Sequence, residues 1–266
     1  MDVVLLCGGK GTRLSEETTI KPKPLVEIGG KPILWHIMKY YSDFGYKRFI
    51  LALGYKGELI KKYVFDYNNI TSDFSLKLGL EDKIKYLNKI KERDWEIVCI
   101  DTGENTLKGG RIKKIEPYIK SSNFHLTYGD GVCDINLNKL VDFHKSHNLI
   151  GTVTAVRPPS RFGELSINDE NIVTHLEEKS QMGRGLINGG YFIFKKNIFS
   201  YFTNDINCDF EFGPLQKISI ENQLKAYKHN GFWQCMDNVR ERDYLDELVN
   251  NHEAPWMQDK INKIKN

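Results

Sequence analysis

Disulfide spacing is missing from this chain. Its five cysteines, Cys7, Cys99, Cys133, Cys208 and Cys235, are odd in number, and none stands in a C-x-x-C pair. That argues for a reduced compartment, so we expect a cytoplasmic protein with buried, inert thiols. Long hydrophobic runs are missing too. The apolar stretch Val3–Cys7 has no basic segment before it and stops at Gly8-Gly9. It reads as a buried strand rather than a signal peptide or a membrane span, and no membrane partner is expected. Charge of one sign is scarce: 38 Lys and Arg against 35 Asp and Glu leave a net charge of +3. That is too little to point to nucleic acid or a lipid surface, though it does not oppose anionic substrates. No internal repeat or low-complexity tract occurs. The histidines lack metal-ligand spacing, and even His144 and His147, three positions apart, have no acidic partner. They read as solvated or structural residues. No Ser/His/Asp arrangement stands out.

What is present is alternation. Val3–Cys7, Arg48–Leu53, Trp95–Ile100 and Phe124–Thr127 are short apolar runs bounded by glycine or turn residues, as buried parallel strands are. Helical periodicity lies between them. Pro32 opens a helix with Ile33, Ile37, Tyr40, Tyr41 and Phe44 on one face, and Gly45 ends it. Further helices are expected over Glu58–Tyr67, through Ile112, Ile115 and Ile119, and over Leu137–His147. Residues 72–96 carry many charges and read as an inserted hairpin or arm. The second half changes character. Thr152–Val156, Glu164–Ile167, Val173–Glu177 and Tyr191–Phe194 are expected strands with few helices between them, and helices follow near Phe212–Glu221 and Arg240–Asn250. The pattern predicts an α/β protein with an open, mixed, mostly parallel sheet flanked by helices and a β-rich second portion. We expect one domain over residues 1–256, with halves 1–135 and 136–256, and a polar tail over 257–266.

Ligands of such sheets bind at the carboxyl ends of the strands. Three loops fall there: Gly8–Arg13, Asp101–Arg111 and Gly129–Asp134. The first carries the strongest signal, Leu6-Cys7-Gly8-Gly9-Lys10-Gly11-Thr12-Arg13-Leu14, followed by Lys21-Pro22-Lys23-Pro24. Glycines after a strand let backbone N–H groups approach phosphate oxygens. Arg13 can fork onto phosphate and Lys23 supplies a compact charge. Pro22 and Pro24 restrict the backbone on both sides of Lys23. A turn-rich loop with solvated cations is the plain alternative, and the co-occurrence of loop, Arg and Pro-bracketed Lys argues against it. The order of residues excludes the G-x-x-x-x-G-K-[ST] loop, and the missing third glycine of G-x-G-x-x-G disfavours a dinucleotide enzyme.

These motifs resemble the nucleotide-diphospho-sugar pyrophosphorylases, whose G-G-x-G-T-R-L and P-K-P patterns stand here as GGKGTRL and PKP. VEIGGKPILWHIM, DTGENTLKGGR, TYGDGVCDINL, RFGELSI, INGGYFIF and GFWQCMDNVRERDYL extend the resemblance to the subgroup that makes CDP-glucose, from Met1 to about Trp256. The resemblance implies a Rossmann-like, GT-A-like nucleotidyltransferase fold. It implies transfer of a cytidylyl group from CTP to glucose 1-phosphate with Mg²⁺ as cofactor, and a homo-oligomer.

By the same resemblance, Arg13 and Lys23 are catalytic. Leu6, Cys7, Gly8, Gly9, Lys10, Gly11, Thr12, Arg13, Lys23, Thr106, Arg111 and Gly129 hold the nucleotide. Asp130 and Asp237 hold the metal; the residues alone leave a local turn role open for each. Glu178, Lys179, Asn188 and Gly189 hold the sugar phosphate, where an exposed charged turn is the plain alternative. For Arg111 the alternative is a surface helix residue. Trp233, Tyr40 and Tyr41 read as core rather than as stacking platforms. Three positions depart from the family pattern on the acceptor side. Ser180 stands for Pro after Glu178-Lys179, Phe210 for Trp, and Gly213 for an acidic residue. They leave open the same transfer to another sugar or polyol phosphate.

Overall fold

The computed structural model describes residues 1–78, 84–88, 90, 92, 94–158, 164–177 and 185–258. The expectations for Glu178, Lys179 and Ser180, for the middle of the 72–96 arm and for most of the tail lie outside the described residues.

Seven strands form one sheet: β1 (Asp2–Cys7), β2 (Arg48–Leu53), β3 (Glu96–Asp101), β4 (Asn123–Tyr128), β5 (Gly151–Val156), β6 (Ile187–Lys195) and β7 (Leu224–His229). Their order is β7-β5-β6-β4-β1-β2-β3. The pairs β1–β2, β1–β4, β2–β3 and β5–β7 are parallel. Only β6 runs the other way, between β4 and β5. This is the expected mixed, mostly parallel sheet.

Period-two alternation divides the apolar side chains between two cores. Val3, Leu5 and Cys7 of β1 join Phe49, Leu51, Leu53, Tyr191 and Ile193 on one face. Helices α1 (Ile33–Asp43) and α5 (Val239–Asn250) cover that face, contributing Ile33, Ile37, Tyr40, Tyr41 and Leu245. Val4 and Leu6 join Ile50, Ala52, Phe124, Leu126, Phe192 and Phe194 on the other. Helix α3 (Lys108–Ile115) closes that side with Ile112 and Ile115. Helix α2 (Gly57–Phe65) follows β2, and α4 (Leu137–Lys145) comes after α3 and follows β4. Each such side chain fully removed from water stabilises by roughly 1.5–3 kcal/mol before entropy is counted.

Several boundaries differ from expectation. The helix expected to reach Tyr67 ends at Phe65, and a separate short helix, Tyr67–Thr71, follows. The helix expected over Phe212–Glu221 is a wide turn, Glu211–Leu215, with Gly213 outside helical geometry, and a short helix, Gln216–Ile220. Pro214 lacks the N–H that a regular helix would need there. Strand β6 runs beyond Tyr191–Phe194 at both ends. In the arm, Phe74–Ser75 pairs with Lys85–Tyr86 as a short antiparallel ladder. Strand β7 was not expected. It is an edge strand whose Lys225 and Lys228 point to solvent, and charge on an edge hides the apolar signal.

One histidine is deeply structural. His125 on β4 is fully buried against Tyr41 and Tyr46, with ring centroids at 5.2 and 4.5 Å. Neither of its nitrogens has a hydrogen-bond partner among the described residues. Burial, with smaller repulsion from the terminal amine and His144, pushes its pKa down to about 3. The unfolded chain takes up that proton near pH 6.5, so the unfolded state binds more protons below that pH. Stability therefore falls with acid, by up to about 1.4 kcal/mol per pH unit from this residue. His36 and His144, each pushed down to about 4, act the same way. We expect His125→Phe to flatten part of the decline between pH 6.5 and 4 in urea melts. An unchanged slope would contradict this reading.

Candidate active site

The pairings Leu6 with Tyr128, Cys7 with Leu53 and Leu53 with Asp101 set four strand ends at one level. The loops starting at Gly8, Gly54, Thr102 and Gly129 therefore leave the sheet side by side. Strand β6 runs antiparallel, so its amino end, carrying Asn188, meets the same edge, opposite Ala155. A cavity of about 690 Å³ opens there, a size typical of ligand sites.

The first loop is held open from behind. Gly11 adopts φ +64°, and a Cβ there would meet Thr18 at 2.8 Å. Thr18 donates its hydroxyl to the Gly11 carbonyl at 3.1 Å. Beneath Gly8 lies the buried guanidinium of Arg111. It donates to the carbonyls of Gly8, Leu53, Gly103 and Glu104 and to the Thr102 hydroxyl, at 2.7–3.0 Å. A Cβ at Gly8 or Gly54 would fall within 2.3 Å of it. Arg111 is thus not a surface helix residue. It lines the cavity while its donors pin three loops together. Burial draws its pKa down, partly offset by the charge of Asp101.

Lys23 sits in a one-turn helix, Lys23–Leu25, entered from Pro22 in extended geometry. Its Nζ donates to Asp130 Oδ2 and to Asp237 Oδ1, each at 2.7 Å. Burial would lower the Lys23 pKa, but the two carboxylates outweigh it and hold the pKa above the ordinary value. Burial would likewise raise the Asp237 carboxyl, yet the Lys23 ammonium and the Arg13 guanidinium hold it below the usual range. Arg13 Nη1 lies 2.8 Å from Asp237 Oδ2.

Two aspartates 107 positions apart meet here through a small ribbon. Gly131–Cys133 pairs antiparallel with Trp233–Cys235, setting Cys235 opposite Gly131. The Met236 amide then donates to the Asp130 carbonyl at 2.8 Å. Asn238 caps α5 by accepting from the Glu241 amide at 3.0 Å, and Glu241 Oε2 accepts from the Asp237 amide at 2.6 Å. This reciprocal cap fixes Asp237 at the helix start. Cys235 donates its thiol to Asp237 at 3.6 Å. Burial, then the charges of Asp237 and Glu241, push its pKa up to about 12, so it stays protonated.

Of the expected site residues, Leu6 to Arg13, Lys23, Thr106, Arg111, Gly129, Asp130, Asn188 and Asp237 all line the cavity. Gly189 lies just behind the wall, where its carbonyl accepts from Trp233 Nε1 at 2.7 Å. Lys108, Tyr128, Asp209, Trp233 and Cys235 also line it. Sequence reasoning did not single these out for the site. Tyr128 stands two places before Asp130, the one local signal that could have flagged it. Of the three departures, Phe210 is fully buried against Phe192 and Phe202 and does not face the cavity.

The chain matches the family model described as nucleotidyl transferase over residues 2–234. It is 44% identical over 257 residues to a glucose-1-phosphate cytidylyltransferase of Salmonella typhimurium, covering 96% of this chain and 98% of that one. It is 34% identical to a D-glycero-alpha-D-manno-heptose 1-phosphate guanylyltransferase of Campylobacter jejuni, over 94% of this chain and 100% of that one. Among solved structures, HddC of Yersinia pseudotuberculosis complexed with GMP-PN superposes with a TM-score of 0.65 at 26% identity, covering 93% of this chain and 99% of that one.

Proposed function

The chain belongs to the nucleotidyl transferase family, and from that premise we propose that it transfers the cytidylyl group of CTP to glucose 1-phosphate, giving CDP-glucose and pyrophosphate. One observation carries the proposal. The Gly8–Arg13 loop and a buried ammonium shared by two carboxylates stand at one cavity wall. The name of the Salmonella relative, glucose-1-phosphate cytidylyltransferase, supports this choice of nucleotide and sugar phosphate.

The residues present fit Mg²⁺. Asp130 and Asp237 offer hard oxygen donors that already converge on one cation, the Lys23 ammonium. Mg²⁺ takes one or two protein carboxylates and completes its shell with phosphate and water oxygens. When bound, the ion would supply charge neutralisation to the phosphoryl oxygens.

The chain's own residues do the rest. Backbone amides of Gly8–Gly11 and the Arg13 guanidinium bind the triphosphate. A phosphate oxygen of glucose 1-phosphate attacks the α-phosphorus in line, and pyrophosphate leaves. The attacking phosphate is already an anion, so no protein nucleophile is needed. Catalysis reduces to placement and charge. Lys23 sits on the α-phosphate and stabilises its added charge. Arg111 does its part from behind, holding the loops that bear the amides.

One further expectation belongs with this reading. A homo-oligomer would draw on the exposed apolar side chains Phe65 and Leu78 near the arm, 88% and 91% exposed. Among the described residues no helix is long and apolar enough to cross a membrane. Mass spectrometry of a mixture of protein, Mg²⁺, CTP and glucose 1-phosphate tests the reaction. CDP-glucose should form and should be abolished by EDTA. Its absence, with both substrates recovered intact, would overturn the proposal.

A further inference from the structure

A second polar cluster shares the cavity and is not used by the phosphate chemistry. Tyr128, half-buried at the end of β4, donates its hydroxyl to Glu211 Oε1 at 2.8 Å. Asn188 Nδ2 donates to the same hydroxyl oxygen at 3.2 Å. Asn188 Oδ1 is itself held by the Gly190 amide at 2.9 Å. The Lys108 ammonium also reaches Glu211 and lies 5.0 Å from the centre of the Tyr128 ring. Gly190 adopts φ +77°, and a Cβ there would come within 2.5 Å of the Tyr128 ring, so the ring rests directly on the β6 backbone.

We propose that Tyr128, oriented by Glu211 and Asn188, reads the hydroxyls of the acceptor sugar and helps set which sugar phosphate is used. The proposal rests on the nucleotidyl-transfer reading above.

Placement is the first argument. Asp130 follows β4, which lies between β1 and β6 in the sheet. The Gly8, Gly54 and Thr102 loops lie on the β1–β2–β3 side and are pinned to one another by Arg111. Asn188 and Trp233 lie on the β6 side, tied by the bond from the indole to Gly189. A triphosphate on the glycine loop therefore leaves the β6 side to the second substrate.

Chemistry is the second. The Tyr128 proton is committed to Glu211, and one lone pair of its oxygen to Asn188. One acceptor site remains on the oxygen and one N–H on the Asn188 amide, with no further partner for either among the described residues. An adjacent acceptor and donor match a hydroxyl, which both gives and takes a hydrogen bond. Burial, then the Glu211 charge, raises the Tyr128 pKa, so the hydroxyl keeps its proton and its direction. Trp233, half-buried in the same wall, offers an apolar face to the C–H side of a pyranose ring. None of these features favours a flat base over a polyol.

The test is the steady-state kinetics of Tyr128→Phe and Glu211→Gln beside the wild type, varying acceptor and nucleotide separately. Tyr128→Phe keeps the ring on Gly190 and should raise KM for the sugar phosphate roughly fivefold to tenfold, as loss of one neutral hydrogen bond does. Glu211→Gln keeps a neutral and weaker acceptor for the hydroxyl, so it should raise the same KM by a smaller factor, about twofold to fivefold. KM and direct calorimetric Kd for the nucleotide should stay within about twofold for both. Deoxy-glucose 1-phosphates supply the second readout. The deoxy sugar lacking the hydroxyl that Tyr128 reads should be penalised in the wild type and not further in Tyr128→Phe. Wild-type turnover with CTP and glucose 1-phosphate judges the functional reading by itself. Should the wild type prefer another sugar phosphate, the same variant-to-wild-type ratios are taken with that acceptor. A raised nucleotide Kd with an unchanged acceptor KM would overturn the assignment, as would unchanged values for both.

Discussion

Lys23→Met leaves a folded protein whose kcat is lower by about two to three orders of magnitude, the usual loss when a charged group aimed at a transition state is removed. The structure explains why no neighbour can substitute. Lys23 is only 8% exposed, and the bonds of its ammonium to Asp130 and Asp237 are both 2.7 Å long. Arg13 lies nearby, but its side chain is 73% exposed and reaches Asp237 from the solvent side. The methionine fills similar volume without the charge. Two carboxylates then face each other with one cation fewer, so stability should also fall, by roughly 1–3 kcal/mol. Circular dichroism and a urea melt separate the two effects: the fold persists while turnover does not. The raised Lys23 pKa gives the sign of its pH dependence. Its contribution to stability is complete below the ordinary value of 10.5 and is lost as pH rises above it. The methionine variant should show a smaller alkaline decline. Near-normal kcat in this variant would remove Lys23 from the chemistry.

Asp237→Asn has the second large expected effect. The amide keeps the shape but loses the charge that two cations share, at 2.7 Å to Lys23 and 2.8 Å to Arg13. It also removes one of the two carboxylates proposed for Mg²⁺. Turnover should fall by about 10²–10³, and the Mg²⁺ concentration giving half-maximal rate should rise. Stability at low pH carries an independent signature. The Asp237 pKa is held below its ordinary value of 3.8, so its contribution is present above that pH and is lost as pH falls further. The asparagine variant lacks that part of the acid limb. If the variant matched the wild type in both Mg²⁺ dependence and rate, Asp237 would be a structural partner of Lys23 and no more.

These two residues also mark what was legible in the sequence. Lys23 could be read because its neighbours restrict the backbone and a glycine loop precedes it, all within a short stretch of chain. Asp130 could be placed at a strand end by the apolar run before it. The meeting of Asp130 with Asp237 could not be derived from spacing, because it depends on Gly131–Cys133 pairing with Trp233–Cys235. Segments of that length carry no usable period, so only the resemblance joined the two aspartates. Trp233 was read as a core residue, and it is a half-buried wall of the cavity. Arg111 was expected at the nucleotide, and the bonds that define its position run to backbone carbonyls, which have no sequence signature. Its trace in the sequence is indirect: Gly8 and Gly54 leave it room. The Tyr128–Glu211 contact joins residues that lie 83 positions apart in the chain, one before and one after β6, so no local pattern announces it.

The central claim is nucleotidyl transfer at the junction of the glycine loop and the Lys23 carboxylate pair. Its most direct test is pyrophosphate release, coupled to inorganic pyrophosphatase, with Mg²⁺, glucose 1-phosphate and each of CTP, UTP, dTTP, ATP and GTP in turn. The account predicts release with CTP that requires glucose 1-phosphate and stops on adding EDTA. No release with any triphosphate, for glucose 1-phosphate and for other sugar and polyol phosphates alike, would contradict it.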